Sequence, residues 1–158
     1  MARRTILKRS VFTALAAIIV SRFSPSLNCR CRLTSADGSR RSSAWMGEFG
    51  EKVAAARLRA DGCKILGRNF KARGGGEVDI VARDGSLLLF VEVKTRREGT
   101  PIRPYDAVDA AKRKLIERGA NAWLARLGRR DMPWQFDVME VYLADGERPR
   151  VNRIRDAF

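Results

Sequence analysis

Residues 87–91 read Leu-Leu-Leu-Phe-Val, an unbroken apolar run between polar neighbours. Side chains along a strand alternate between two faces, so a strand carrying this run needs cover on both sides. That requirement suggests a strand buried on both faces of its sheet. The surrounding sequence supplies a hairpin. Val78 to Arg83 alternates as a strand, Asp84-Gly85 is a strong two-residue hairpin signal, and Ser86 to Thr95 forms the next strand. A chain of 158 residues is long enough for one domain with a sizeable core.

The hairpin also places the chemistry. With Asp84 and Gly85 as the turn, Arg83 pairs with Ser86, Asp79 opposes Phe90, and Glu77 opposes Glu92. Glu77, Asp79, Glu92 and Lys94 then project from one side. Asp79 and Glu92 become diagonal neighbours with Cα atoms roughly 7–8 Å apart, close enough for both carboxylates to meet one cation. The same face carries Leu88 and Phe90, so Glu92 ends an otherwise apolar row. A carboxylate there is costly unless paired, and a divalent cation would offset the cost. Oxygen ligands alone favour Mg²⁺ or Mn²⁺, which can polarise a phosphodiester and activate a bound water. Lys94 would add a compact positive charge beside the phosphate or the water. The competing reading is a solvated strand end with Glu92–Lys94 and Glu77–Lys94 ion pairs. Spacing alone leaves both open.

The rest of the chain builds the layers. Trp45, Phe49, Val53, Ala56 and Ala60 form a helical stripe, and Glu51 shares a second face with Ala54, Ala55 and Leu58, so it is expected to point inward. Asp61-Gly62 ends this helix. Cys63 to Arg73 reads as the first strand, and Gly74-Gly75-Gly76 as a turn. Arg96 to Pro104 is a polar loop, Asp106 to Leu127 a long amphipathic helix, Trp134 to Leu143 a fourth strand and Val151 to Phe158 a fifth. The order α-β-β-β-α-β implies an α/β fold with a mixed central sheet flanked by helices. Arg96, Arg97 and Lys112 are candidate nucleic-acid contacts beside the hairpin, and Glu77 is a candidate supporting acid. Trp123 and Trp134 read as core, and Asp137 as a buried structural acid.

Charge and composition narrow the partners. The net charge of +14 favours polyanions. Much of it lies in residues 1–45, which hold nine Lys/Arg and one acid. There is no histidine, which excludes His-based metal sites, Ser-His-Asp triads and His general bases. Cys29, Cys31 and Cys63 form no CxxC pair and no disulfide framework, which points to a reducing, cytoplasmic setting. Residues 1–45 read as a basic tail lacking ordered structure, and residues 46–158 as the folded domain. The tail's apolar run, Val11 to Val20, is too short to span a membrane, so membrane contact is expected only through residues 1–22 if at all. A targeting segment, a membrane-touching tail and a start codon placed upstream of Met46 compete, and the last is favoured. No small-molecule cofactor is expected.

The wider string resembles a known family. Gly47 to Glu51 (GxxGE), Arg68 to Phe70 (RNF), Gly76 to Asp79 (GEVD), Phe90 to Arg96 (FVEVKTR), Lys112, Phe136 to Val138 (FDV) and the terminal Ala157-Phe158 follow in order the motifs of the YraN-like bacterial proteins. That family is a branch of the PD-(D/E)XK nuclease superfamily and is similar to archaeal Holliday junction resolvases. The resemblance implies a restriction-endonuclease-like fold. It also implies a core site of Asp79, Glu92 and Lys94, completed by Glu51 as a third acid on the metal. It implies DNA as partner, with branched DNA a candidate substrate and a homodimer a candidate assembly. The resulting expectation is a Mg²⁺-dependent (or Mn²⁺-dependent) DNA endonuclease-like protein. The runner-up is a nucleic-acid-binding protein of the same fold without turnover. A membrane-attached accessory factor is a third reading, supported only by the tail.

Overall fold

In the computed structural model, residues 25–158 are described apart from Ile102, Arg129 and Arg130. The apolar run becomes the middle of a five-stranded sheet, and Leu88, Leu89, Phe90 and Val91 have no exposed surface. The chain runs α1 (Pro25–Asn28), α2 (Ser43–Ala60), β1 (Lys64–Ala72), β2 (Gly76–Asp84), β3 (Leu87–Arg97), a 3₁₀ turn (Pro104–Ala107), α3 (Ala110–Leu127), β4 (Trp134–Leu143) and β5 (Arg150–Ile154). The strands lie side by side in chain order. β3 and β4 are parallel and every other pair is antiparallel, which gives the expected mixed sheet.

Each face of β3 meets one helix. Leu89, Val91 and Val93 pack with Val53, Ala54 and Leu58 of α2. Leu88 and Phe90 pack with Ile116, Ala120 and Leu124 of α3. Two close approaches fix the helices. A Cβ added at Gly50 would lie 1.8 Å from Thr95 Oγ1, so only glycine lets α2 sit this close to β3. A Cβ at Gly76 would lie 2.5 Å from the backbone nitrogen of Gly119, so α3 touches the start of β2 backbone to backbone.

Several boundaries differ from expectation. The hairpin turn is Gly85-Ser86, because Asp84 pairs with Leu87. Gly85 has a φ of +58° and Ser86 does not share its sign, the pattern of a type II′ turn with glycine first. The shift moves every opposed pair by two residues, so Glu77, Glu92 and Lys94 still share a face, while Asp79 comes level with Glu92 instead of diagonal to it and leaves that face. The helix expected from Asp106 starts at Ala110, since Pro104–Ala107 winds as a 3₁₀ turn and Asp109 caps α3 by accepting from Lys112 N at 2.8 Å. β5 stops at Ile154, because Asp156 takes a φ of +48° and Phe158 turns back to stack on Phe136 at 4.8 Å.

The ordered body also begins before residue 46. Cys31 and Leu33 are buried in the α2-side core. Cys31 N donates to Glu147 O at 2.7 Å, and Leu33 N donates to Asp145 Oδ1 at 2.6 Å, so this segment is tied to the β4–β5 turn. Helical periodicity misses it because two buried residues in an extended stretch make no stripe. Residues 1–24, on which the targeting and membrane readings rest, lie outside the described residues. Among the described residues, no helix is long and apolar enough to cross a membrane.

Candidate active site

The strand alternation that organises the sheet breaks at one place. Val78 and Val81, three residues apart, bury on the α3 face, while Ile80 and Ala82 bury on the α2 face. Strict alternation would separate same-face residues by two, so β2 is twisted between Val78 and Ile80, at Asp79. The pairing of β2 with β3 extends only to Ile80–Val91. At the next rung the Asp79 carboxylate accepts from Val93 N at 2.7 Å, in place of a ladder carbonyl. The two strands part here, and Asp79 stands in the gap.

Glu92 sits on the α3 side of this gap. Its side chain is 1% exposed, and its flanks Phe90 and Val138 are apolar core. Oε1 accepts from Lys94 Nζ at 2.7 Å and lies 3.2 Å from Lys112 Nζ. Oε2 is buried and has no hydrogen-bond partner. Glu77 faces the same ammonium, since Lys112 Nζ donates to its Oε1. That bond holds the Glu77 carboxyl below its ordinary value. Burial alone would lower the Lys112 ammonium, but Glu77 and Glu92 more than offset it and raise the group. Glu77, Glu92, Lys94 and Lys112 thus form one cluster, as the hairpin's parity expects for Glu77, Glu92 and Lys94.

Asp79 opens onto the α2 side of this cluster. It lines a cleft of about 430 Å³ with Gly47, Glu48, Glu51, Asn69 and Glu77, between α2 and the start of the hairpin. Burial pushes its carboxyl up, the charge of Glu92 pushes it further, and it reaches about 7. Glu51 lines the cleft from α2, with its side chain 20% exposed and Arg68 Nη2 at 3.5 Å from its Oε2. It therefore points inward and also has an arginine partner.

Arg96 and Arg97 lie just past Lys94 and line a second hollow of about 380 Å³ with Lys94, Ser43, Met46 and Gly47. Both guanidinium groups donate to backbone carbonyls, Arg96 Nη1 to Thr95 O at 3.2 Å and Arg97 Nη2 to Arg41 O at 3.4 Å. Lys112, a candidate phosphate contact, is seated between Glu77 and Glu92. The sequence marks Asn69 only as the middle of the RNF motif and does not assign it to the site. It lies in the middle of β1 with a φ of +51°, and its presence in the cleft had only a weak signal: asparagine is a poor strand former that tolerates the left-handed region.

A divalent cation has a donor set to meet here, though an incomplete one. Among the described residues, no three His, Cys, Asp or Glu side chains are gathered closely enough to hold a metal ion. The three-acid set Asp79, Glu92 and Glu51 is therefore not assembled. Two of the acids do fit: the charge of Glu92 acts on the Asp79 carboxyl, and Glu92 keeps a buried bare oxygen. Mg²⁺ typically takes one or two carboxylates and completes its shell with waters and substrate phosphate.

Comparison with known proteins places the chain among relatives. Residues 50–141 match the profile of the uncharacterised protein family UPF0102. The UPF0102 protein of Symbiobacterium thermophilum is 46% identical over 113 residues, covering 72% of this chain and 95% of the relative. That of Geobacter sulfurreducens is 46% identical over 113 residues, covering 72% and 88%. That of Nocardia farcinica is 42% identical over 116 residues, with the same coverage of 72% and 88%. The matched span contains Glu51, Asn69, Asp79, Glu92, Lys94 and Lys112.

Proposed function

The chain belongs to the uncharacterised protein family UPF0102, and from its site we propose a metal-dependent DNA endonuclease-like protein that hydrolyses phosphodiester bonds. The observation that carries this reading is the pair at the strand gap. Glu92 is buried with one bare oxygen, beside an Asp79 carboxyl raised to about 7. Two acids forced together at a cost are poised for a cation that both can share. Asp79 and Glu92 would hold Mg²⁺ or Mn²⁺, which when bound polarises the phosphodiester and acidifies a water. Lys94, now on Glu92 Oε1, would turn its ammonium toward the phosphate or the water. Glu51 would contribute from α2, and Arg96 and Arg97 would receive the flanking backbone phosphates. The cytoplasm suits this chemistry and keeps the buried thiols of Cys31 and Cys63 reduced.

One observation favours the runner-up, a nucleic-acid-binding protein without turnover. Lys94 and Lys112 already neutralise Glu92 without a metal. The test is the purified chain with Mg²⁺ or Mn²⁺ and a panel of single-stranded, duplex, flap and four-way-junction DNA. We expect cleavage of at least one substrate, with loss of at least about a hundredfold in Glu92→Gln and Lys94→Ala, the size expected when an electrostatic catalytic group is removed. Salt-sensitive DNA binding with no cleavage under any condition would select the runner-up. Binding indifferent to salt would remove both.

A further inference from the structure

The charged wall of the Asp79 cleft is mostly acidic. Glu48, Glu51, Glu77 and Asp79 supply four carboxyl groups, Lys71 one ammonium, and Asn69 places a neutral carboxamide among them. Its position is built, not incidental. In the β1–β2 pairing, Arg68 meets Ile80 and Phe70 meets Val78, so Asn69 comes opposite Asp79, the residue at which β2 twists. The left-handed backbone at Asn69 departs from strand geometry at the same rung, with a φ of +51°. A side chain there leaves the regular alternation of an edge strand. Asparagine adopts this conformation more readily than other non-glycine residues, but glycine would adopt it more easily still. The retained side chain is exposed and has no hydrogen-bond partner among the described residues. Non-glycine residues held in sparsely populated backbone regions cluster at ligand contacts.

Two cations beside the cleft are already engaged by its acids or their neighbours: Arg68 reaches Glu51 at 3.5 Å, and Lys112 is held by Glu77 and Glu92. A neutral amide N–H stays available while still donating to an anion. We propose that Asn69 is a substrate-positioning residue whose carboxamide donates a hydrogen bond to a phosphodiester oxygen of DNA in this cleft. This rests on the proposed function and extends it by assigning a contact on the β1 wall.

Three substitutions test it, with binding followed on a labelled duplex and a labelled four-way junction in Mg²⁺ and the fold followed by thermal melting. Asn69→Gly keeps the backbone conformation and removes the donor. Asn69→Asp keeps shape and backbone preference but replaces the donor with a like charge. Asn69→Ala keeps neither the donor nor the backbone preference. We expect Asn69→Gly to melt with the parent, to keep the parent's Mn²⁺-induced shift in Tm, and to bind DNA about tenfold more weakly, as for loss of one hydrogen bond to a charged group. Asn69→Asp should bind more weakly than Asn69→Gly, and Asn69→Ala should lower the Tm. A purely structural residue predicts parent-like affinity in both Asn69→Gly and Asn69→Asp, and that result overturns the proposal while leaving the nuclease reading intact. A parent that binds neither DNA overturns the nuclease reading, and this contact with it.

Discussion

Three acids are buried in this sheet, and they are not alike. Asp137 and Glu140, on β4, are 0% and 1% exposed, and Glu92, on the neighbouring β3, is 1% exposed. Asp137 Oδ1 accepts from Gln135 Nε2 at 2.6 Å and Asp156 N at 3.1 Å, while Oδ2 accepts from Arg153 Nε at 2.8 Å. Glu140 Oε1 accepts from Tyr105 N at 3.1 Å and Oε2 from Asn152 Nδ2 at 2.8 Å. Burial raises the Glu140 carboxyl, but these bonds more than offset it and leave it below its ordinary value. Glu92 is different: one oxygen carries two ammonium groups and the other none. Burial therefore does not distinguish these acids, but completeness of hydrogen bonding does. The β4 acids tie β5, the C-terminal segment and the 3₁₀ turn to the sheet, and the β3 acid keeps one buried oxygen without a hydrogen bond.

The largest effect should come from breaking the complete site. Asp137→Ala leaves the Arg153 guanidinium, 9% exposed, without its main partner. We expect a loss of about 3–5 kcal/mol in urea unfolding, the usual result of removing one member of a buried ion pair. The Mn²⁺-induced rise in Tm should be unchanged in this variant if it still folds. A loss below about 1 kcal/mol would show that Asp137 is not the structural acid of the pair.

The next effect belongs to the incomplete site. At a hundredfold excess over Kd, a cation binding only the folded chain stabilises it by about 2.7 kcal/mol. The parent should show a rise in Tm of that origin in Mn²⁺, and Glu92→Gln should show none. Without metal, Glu92→Gln exchanges repulsion of Asp79 for lost attraction to Lys94 and Lys112, so its stability should stay within about 1 kcal/mol of the parent, well short of a broken buried pair. A parent whose Tm ignores millimolar Mn²⁺ would make Glu92 a structural acid like the other two.

How far the sequence showed this difference depends on the residue. The Leu87–Val91 run pointed to a central strand buried on both faces, and the helical stripes on either side of the hairpin supplied the cover. The hairpin's parity put Glu77, Glu92 and Lys94 together, and it held although the turn lay one residue further on, because the pairing moved by two. Asp79 was legible as an acid of the site but not as the residue where the strands part, since that twist depends on Val78 packing against α3. Lys112 looked like one charge in a basic run, Lys112 to Lys114. Only the Gly76–Gly119 approach, two turns away on the same helix, shows that it is drawn over Glu77 and Glu92. Cys31 and Leu33 gave no periodic signal, so their place in the core came from the structure alone.

The smallest effect concerns Asp79, and its sign sets it apart from ordinary acids. Its carboxyl is raised from 3.8 to about 7 in the folded chain, first by burial and then by Glu92. Above pH 7 the folded and unfolded forms are both ionised there, and the fold carries the cost of a charged group in the gap. As pH falls from about 7 toward 3.8, the folded chain takes up a proton that the unfolded chain does not, so this residue adds stability on acidification. Glu140, held below its ordinary value, acts in the opposite sense and loses its contribution as pH falls. The Asp79 contribution is expected to be about 1–2 kcal/mol. Asp79→Asn mimics the protonated form and still accepts from Val93 N. It should therefore be more stable than the parent by about that amount at pH 8 and nearly equal to it at pH 5. Urea midpoints at pH 8, 7, 6 and 5 would show the gap closing. In the parent, Mn²⁺ must displace the same proton, so stabilisation by the metal should weaken over the same range, and Asp79→Asn should show none of it. A gap that stays constant with pH, or an Asn variant less stable than the parent at pH 8, would mean that Asp79 is already satisfied in the metal-free fold, and the contrast between the two kinds of buried acid would then rest on Glu92 alone.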